Sequence, residues 1–180
     1  MTGGQRDVQL SYGLKDTVGW VVASFVIGEC SARVTGSWIG APLWSVAFAV
    51  VCLLRGAERA TADFPEEPGD FEVRLTRQES GRLRVVVVWI DDDAVRNHTA
   101  EVLLDAECGF EEFVNAVADG TEAVLDQWGE DGYRTRWGHD DFPTAELALL
   151  REAIGGDYVL ASFPDDDPAD PPDFAPLGEG

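Results

Sequence analysis

The first third of the chain alternates apolar and polar residues in short stretches. Residues 8–12 alternate, residues 20–27 are apolar on both faces, and residues 31–38 alternate again. Alternation at every second position is typical of a strand with one buried face, and a short apolar run rich in β-branched and aromatic residues is typical of a well-covered strand. Turn residues separate the three stretches at 15–19 and 28–29. The pattern predicts three consecutive strands.

A long apolar run follows at residues 41–56. Pro42 suits the first turn of a helix and Gly56 suits its end. Apolar residues surround the helical axis almost completely, so we predict a buried helix. The 21 residues 34–54 carry no charge, and by hydropathy alone they are long enough to span a membrane. We favour a strand followed by a helix, because residues 35–42 include glycines, serine and proline; a membrane span is the alternative.

The middle of the chain returns to strand patterns separated by turn signals. Four further strands are predicted, at residues 59–64, 71–76, 83–90 and 98–106. Proline and glycine at 65–69 and glycine at 81 mark two of the turns. In the last of these strands, Glu101 and Asp105 are expected to face solvent.

Helical periodicity begins after Gly109. Apolar residues and one threonine recur at spacings of three and four: Phe110, Phe113, Val114, Val117, Thr121, Val124, Leu125 and Trp128. We expect this helix to end at Gly129. A second helix is predicted from about Pro143 to residues 155–156.

The order of elements indicates an α+β fold. The order is βββα-βββ(β)αα, and the short connections predict one antiparallel sheet of about six to seven strands with the helices packed on one face. Residues 1–156 form a single predicted domain, in which 5–57 and 58–128 have similar layouts that suggest an internal repeat. Residues 157–180 form an acidic, proline-rich tail, expected to be disordered from about residue 164.

The charge is strongly negative and unevenly distributed. The 180 residues include 34 acidic and 13 basic side chains, a net charge of −21. Residues 1–60 hold five basic and four acidic residues, whereas residues 61–180 hold eight arginines and 30 acidic residues. This balance argues against nucleic acid and against an anionic membrane surface as partners, and it favours a basic protein.

The acidity also has an explanation that involves no partner. Lys15 is the only lysine beside twelve arginines, which fits a coding bias or the acidic surface of a salt-adapted protein. High net charge keeps a surface soluble when salt screens it. Binding and solubility both stay open at this point.

The cysteines and the N-terminal residues favour a reducing compartment. Cys30, Cys52 and Cys108 are odd in number and have no CxxC spacing, so neither a disulfide framework nor a zinc site is predicted. The first ten residues lack the apolar stretch of a signal peptide. We therefore expect a cytoplasmic protein.

Three short motifs together carry a resemblance. They are Gly19-Trp20 on an early strand, the EEPG turn at 66–69, and the series Gly129-Glu130-Asp131-Gly132-Tyr133, Arg136-Trp137, Phe142-Pro143 and Leu147. Over roughly residues 8–155 the chain resembles a group of uncharacterised small bacterial proteins, common in actinomycetes, with a GEEGY…RW…FP…L ending. That group has no assigned activity, so the resemblance supports a fold and supplies no catalytic residues. The apolar first helix and the acidic tail depart from its pattern.

The loop at 133–143 holds the candidate binding residues. Arg134 and Arg136 could grip a carboxylate or phosphate, with Tyr133, Trp137 and His139 beside them. The alternative is that Tyr133 and Trp137, with Phe142, lock the long helix to the next one, because aromatic residues at helix junctions usually pack.

No catalytic, metal or cofactor site is predicted. His139 with Asp140 and Asp141, and Asp91, Asp92 and Asp93 with His98, lack a metal-ligand spacing, and consecutive aspartates on an extended chain point apart. No nucleophile or phosphate-binding motif occurs. We therefore expect a non-catalytic protein-binding module, of which an immunity-type inhibitor is a specific form. The alternatives are a membrane-associated protein anchored through 34–54, and a small-ligand module or carboxylate-based enzyme.

Overall fold

The computed structural model describes residues 7–15, 19–91, 100–138 and 140–156. Within these residues the fold is α+β, as predicted, with seven strands in two antiparallel sheets. The first sheet consists of β1 (Val8–Leu14), β2 (Trp20–Ile27) and β3 (Cys30–Ser37). The second consists of β4 (Arg59–Pro65), β5 (Asp70–Arg77), β6 (Arg82–Ile90) and β7 (Ala100–Gly109).

Three helices complete the described fold. They are α1 (Pro42–Leu54), α2 (Phe110–Trp137) and α3 (Thr144–Gly155). α1 packs against β4, α2 packs against β1, and α3 contacts both of the other helices. The core lies between the inner faces of the two sheets and the apolar faces of α1 and α2.

The prediction of a single sheet of six to seven strands was wrong. The chain forms sheets of three and four strands, and β3 and β4 do not pair. α1 separates these two strands in the chain and covers the outer edge of β4, where the backbone N–H of Asp63 donates a hydrogen bond to Ser45 Oγ at 2.9 Å. The sheets pack face to face instead, with the rings of Phe25 and Phe64 6.2 Å apart and nearly perpendicular.

The alternation seen in the sequence correctly identified the buried face of most strands. In β5, Val73 and Leu75 are buried while Arg74 is exposed. In β7, Glu101 and Asp105 are exposed, as expected. A β-bulge between Val87 and Val88 shifts the register of β6 against β7, an irregularity that the alternation alone did not reveal.

The long helix differs from the prediction at its C-terminal end. Gly129, the expected terminus, does interrupt the helical backbone with φ 63° and ψ 173°. Helical geometry then resumes and continues to Trp137, after which Gly138 in the left-handed region closes it. The sequence therefore located the interruption but not the second helical segment, which carries the motif residues Tyr133 and Trp137.

α1 is less fully buried than the sequence suggested. Most of its apolar side chains lie in the core, but Trp44 and Phe48 remain 40% and 39% exposed. Residues 34–37, the first part of the proposed membrane segment, belong to β3. Among the described residues no helix is both long and apolar enough to cross a membrane.

Candidate functional site

The two aromatic residues of the predicted binding loop lie in the core. Tyr133 and Trp137 are both about 1% exposed, and their rings stack with centroids 6.3 Å apart. Tyr133 also meets Phe142 edge to face at 5.6 Å. These contacts join the end of α2 to the segment that leads into α3, which is the packing role considered above as the alternative.

The two arginines of the loop are held by partners within the chain. The Arg134 guanidinium pairs with Asp141 at 2.7 Å and 2.8 Å, and this hydrogen bond raises the pKa of Arg134. Arg136 lies 3.6 Å from the centre of the Trp128 ring, and its carbonyl oxygen accepts a hydrogen bond from the N–H of Gly19. His139 lies outside the described residues. The two aromatic residues are thus in the core, whereas the two arginines contact Asp141 and Trp128. A binding role for Tyr133, Arg134, Arg136, Trp137 and His139 stays a prediction.

A small enclosed cavity lies beneath this junction. It is lined by Tyr12, Leu14, Val21, Leu43, Val124, Tyr133 and Trp137. The buried Tyr12 hydroxyl has no hydrogen-bond partner in the described structure, and burial, with Tyr133 as a smaller contribution, raises its pKa above the usual range. The space is too small to hold a ligand, so the cavity is a packing feature of the core.

The aspartates considered as metal ligands have other contacts where they are described. Asp140 accepts a hydrogen bond from Trp137 Nε1 at 3.2 Å, and Asp141 binds Arg134. The described residues contain no group of three potential metal ligands. Asp92, Asp93 and His98 lie outside them.

Four large apolar side chains within residues 38–48 are exposed. We call Trp38, Ile39, Trp44 and Phe48 the aromatic patch. Trp38 and Ile39, just before α1, are 52% and 53% exposed. Trp44 and Phe48 lie one helical turn apart, with their rings stacked at 4.7 Å. Exposed clusters of large apolar side chains typically mark interaction surfaces.

An open depression adjoins the aromatic patch between α1 and α3. It has a volume of about 650 Å³. Its lining is Ala41, Trp44, Asp140, Asp141, Phe142, Pro143, Thr144, Ala145 and Glu146. Trp44 Nε1 donates a hydrogen bond to Glu146 Oε1 at 2.9 Å, which fixes the indole at the wall of the depression. Apolar side chains and carboxylates therefore face the same space.

The sequence contained only part of the signal for this surface. Trp44 and Phe48 stand at a spacing of four, which places them on one side of α1. Because nearly every residue of α1 is apolar, the periodicity could not tell which side faces solvent. The contact between Trp44 and Glu146 joins residues 102 positions apart, and local patterns carry no information on it.

Negative charge dominates the two C-terminal helices. Exposed acidic residues on α2 and α3 include Glu111, Glu112, Asp126, Glu130, Asp131 and Glu152. Several arginines are held by carboxylates within the fold: Arg74 by Glu72, Arg82 by Glu107, Arg84 by Asp105, and Arg151 by Asp119 and Glu122. Pairing of this kind neutralises the arginines and leaves the acidic surplus exposed.

Comparison of the chain with protein-family models, with curated proteins and with solved structures finds no match in any of the three.

Proposed function

We propose that this protein is a non-catalytic binding module that recognises a basic protein through the acidic surface of α2 and α3. A specific form of this function is that of an immunity-type inhibitor, which neutralises a basic toxin by covering its positively charged active site. The supporting observation is that most acidic side chains of α2 and α3 are exposed, while Arg134 and Arg151 of the same helices are paired with carboxylates of the chain.

The part of the chain that contains α2 and α3 carries enough negative charge to direct association. Residues 61–156 hold eight arginines and 23 acidic residues, a net charge of −15. The helices α2 and α3 contribute −6 of it, from three arginines and nine acidic residues. Individual exposed ion pairs contribute little to stability. A surface field of one sign acts differently, because it raises the rate of encounter with a partner of opposite charge by about 10- to 1000-fold at low salt.

Capture from a lysate of the source organism at low and high salt tests this function. We expect a basic protein to be recovered at low salt and lost as the ionic strength rises, because salt screens exposed charges beyond about 10 Å at 0.1 M. Recovery of no partner at any salt concentration would refute the proposal.

A matched pair of variants tests the assignment to α2 and α3. The triple variant Glu111→Gln, Asp126→Asn, Glu152→Gln removes three exposed carboxylates from these helices, and Glu29→Gln, Glu58→Gln, Glu79→Gln removes three exposed ones elsewhere. The net charge changes equally in both. The first variant should capture less partner than the second, and equal capture would contradict the location of the surface.

A further inference from the structure

We propose that the depression between α1 and α3 is an anchoring site for an arginine side chain of the partner, with Trp44 as the stacking surface and Glu146 as the counter-charge. The inference rests on the proposed function, because it names the part of the surface that holds the basic partner. Three observations carry it: the orientation of Trp44, the charge of the lining, and the exposed apolar residues beside it.

Trp44 presents a fixed aromatic surface. One face of the indole stacks on Phe48 at 4.7 Å with an interplanar angle of 13°, and the hydrogen bond to Glu146 restrains rotation of the ring. The ring nevertheless remains 40% exposed and lines the depression. An aromatic side chain that is already ordered loses little conformational entropy on binding, as is typical of interface anchors.

The lining favours a cation. Asp140, Asp141 and Glu146 contribute carboxylates, and the described residues that line the depression include no basic side chain. Asp141 is engaged by Arg134 and Asp140 by Trp137, whereas Glu146 is the carboxylate that contacts the Trp44 indole. A carboxylate has a second oxygen with which to accept a hydrogen bond, and a guanidinium over the Trp44 ring could donate to it.

The chain itself shows that guanidinium groups stack on its aromatic rings. Arg136 lies over Trp128 at 3.6 Å, and Arg77 lies over Phe110 at 4.5 Å. Planar guanidinium groups combine such stacking with hydrogen bonds to a carboxylate, which an ammonium group does less well. Arginine therefore fits the depression better than lysine.

The rest of the aromatic patch and the net charge define the partner further. Trp38 and Ile39 are exposed just before the same helix and are not part of the lining of the depression, so they are the candidates for contact with apolar residues that flank the arginine. A second copy of this chain is disfavoured as the occupant, because each copy carries a net charge of −21. The expected ligand is a basic segment with interspersed apolar residues.

Titration with a capped Leu-Arg-Leu-Arg peptide tests the site, with a peptide carrying citrulline in place of arginine as the control. Citrulline keeps the shape of arginine and removes the charge. Calorimetry should show that the arginine peptide binds the full-length protein. The citrulline peptide should bind the same protein at least about tenfold more weakly, and the arginine peptide should bind Trp44→Ala at least about tenfold more weakly than the wild type. Equal affinities in either comparison would overturn the proposal.

Two matched variants control for nonspecific effects. Glu152→Gln removes an exposed carboxylate from the same helix as Glu146→Gln, and Val102→Ala shortens an exposed apolar residue on β7. Glu146→Gln should weaken binding of the arginine peptide, as Trp44→Ala does, whereas the two control variants should not. Equal weakening by Glu152→Gln would refute a specific pairing with Glu146. Capture of a basic partner by Trp44→Ala as efficiently as by the wild type would refute the anchor and leave the proposed function standing. If no basic partner is captured by any variant but the arginine peptide still binds, the proposed function is refuted and the anchoring site stands.

Discussion

Replacing Trp137 with alanine is expected to lower the free energy of unfolding by about 3–5 kcal/mol, the usual cost of deleting a large buried aromatic side chain. Trp137 is 1% exposed and stacks on Tyr133 at 6.3 Å. It also borders the small cavity that Tyr12 lines. Removing the indole would enlarge that cavity. It would also remove the hydrogen bond that Trp137 Nε1 donates to Asp140. Urea unfolding followed by circular dichroism measures the loss.

Trp44→Ala is the matched control, because the same side chain is removed from an exposed position. Trp44 is 40% exposed, so Trp44→Ala removes less buried surface than Trp137→Ala and should lower the stability by less. A loss for Trp137→Ala no larger than that for Trp44→Ala would contradict the packing role assigned to the 133–143 segment.

Replacing Gly120 with alanine is expected to lower the free energy of unfolding by about 1–3 kcal/mol, the range for overpacking a close contact. A Cβ at Gly120 would lie 2.6 Å from the carbonyl oxygen of Leu10, where α2 crosses β1. That oxygen belongs to the backbone of a strand and cannot move aside without shifting β1. This expected loss of stability is the opposite of what helix propensity alone predicts, because Gly→Ala inside a helix normally stabilises by about 1 kcal/mol.

Gly132 provides the comparison within the same helix. A Cβ there would meet only the Cβ of Trp128 at 3.4 Å, an ordinary contact. Gly132→Ala should therefore leave the stability unchanged or increase it, whereas Gly120→Ala should decrease it. Thermal unfolding of both variants decides the matter, and a stabilised Gly120→Ala would show that α2 does not approach β1 as closely as described.

Local patterns predicted the strands and most of their faces because burial repeats at every second residue within a strand. In β5, Val73 and Leu75 could be assigned to the core and Arg74 to solvent from their order alone. The beginning of α2 was predictable for the same reason, with a period of three to four residues instead of two. Gly129 was predicted as the end of the helix; the structure shows an interruption there, with the positive φ that glycine accepts, and the helix continues to Trp137.

The separation of the two sheets could not be predicted from such patterns. Pairing between β3 and β4 would leave the same alternation as two separate sheets. The contact of α1 with the outer edge of β4, through Ser45 and Asp63, joins different elements and has no local pattern. The membrane interpretation arose similarly, since residues 34–37 and α1 form one uncharged stretch in sequence but belong to a strand and a helix in the fold.

The candidate surface was less predictable than the fold. The sequence directed attention to Tyr133, Arg134, Arg136, Trp137 and His139 because aromatic and basic residues are concentrated there. Burial of Tyr133 and Trp137 separates them from the exposed Arg134, and burial depends on packing against elements distant in sequence. Trp44 gave no distinct signal within a helix that is apolar on all sides.

The acidity of the chain has two explanations, solubility and binding, and the affinity for the captured partner distinguishes them most directly. Calorimetry with the wild type and with Trp44→Ala would be carried out from about 0.05 M to about 0.5 M salt, over which screening increases strongly. We predict that the affinity falls steeply with salt for both proteins, and that Trp44→Ala binds at least about tenfold more weakly at each salt concentration. An affinity independent of salt, or equal for the two proteins throughout, would contradict recognition of a basic partner anchored at Trp44.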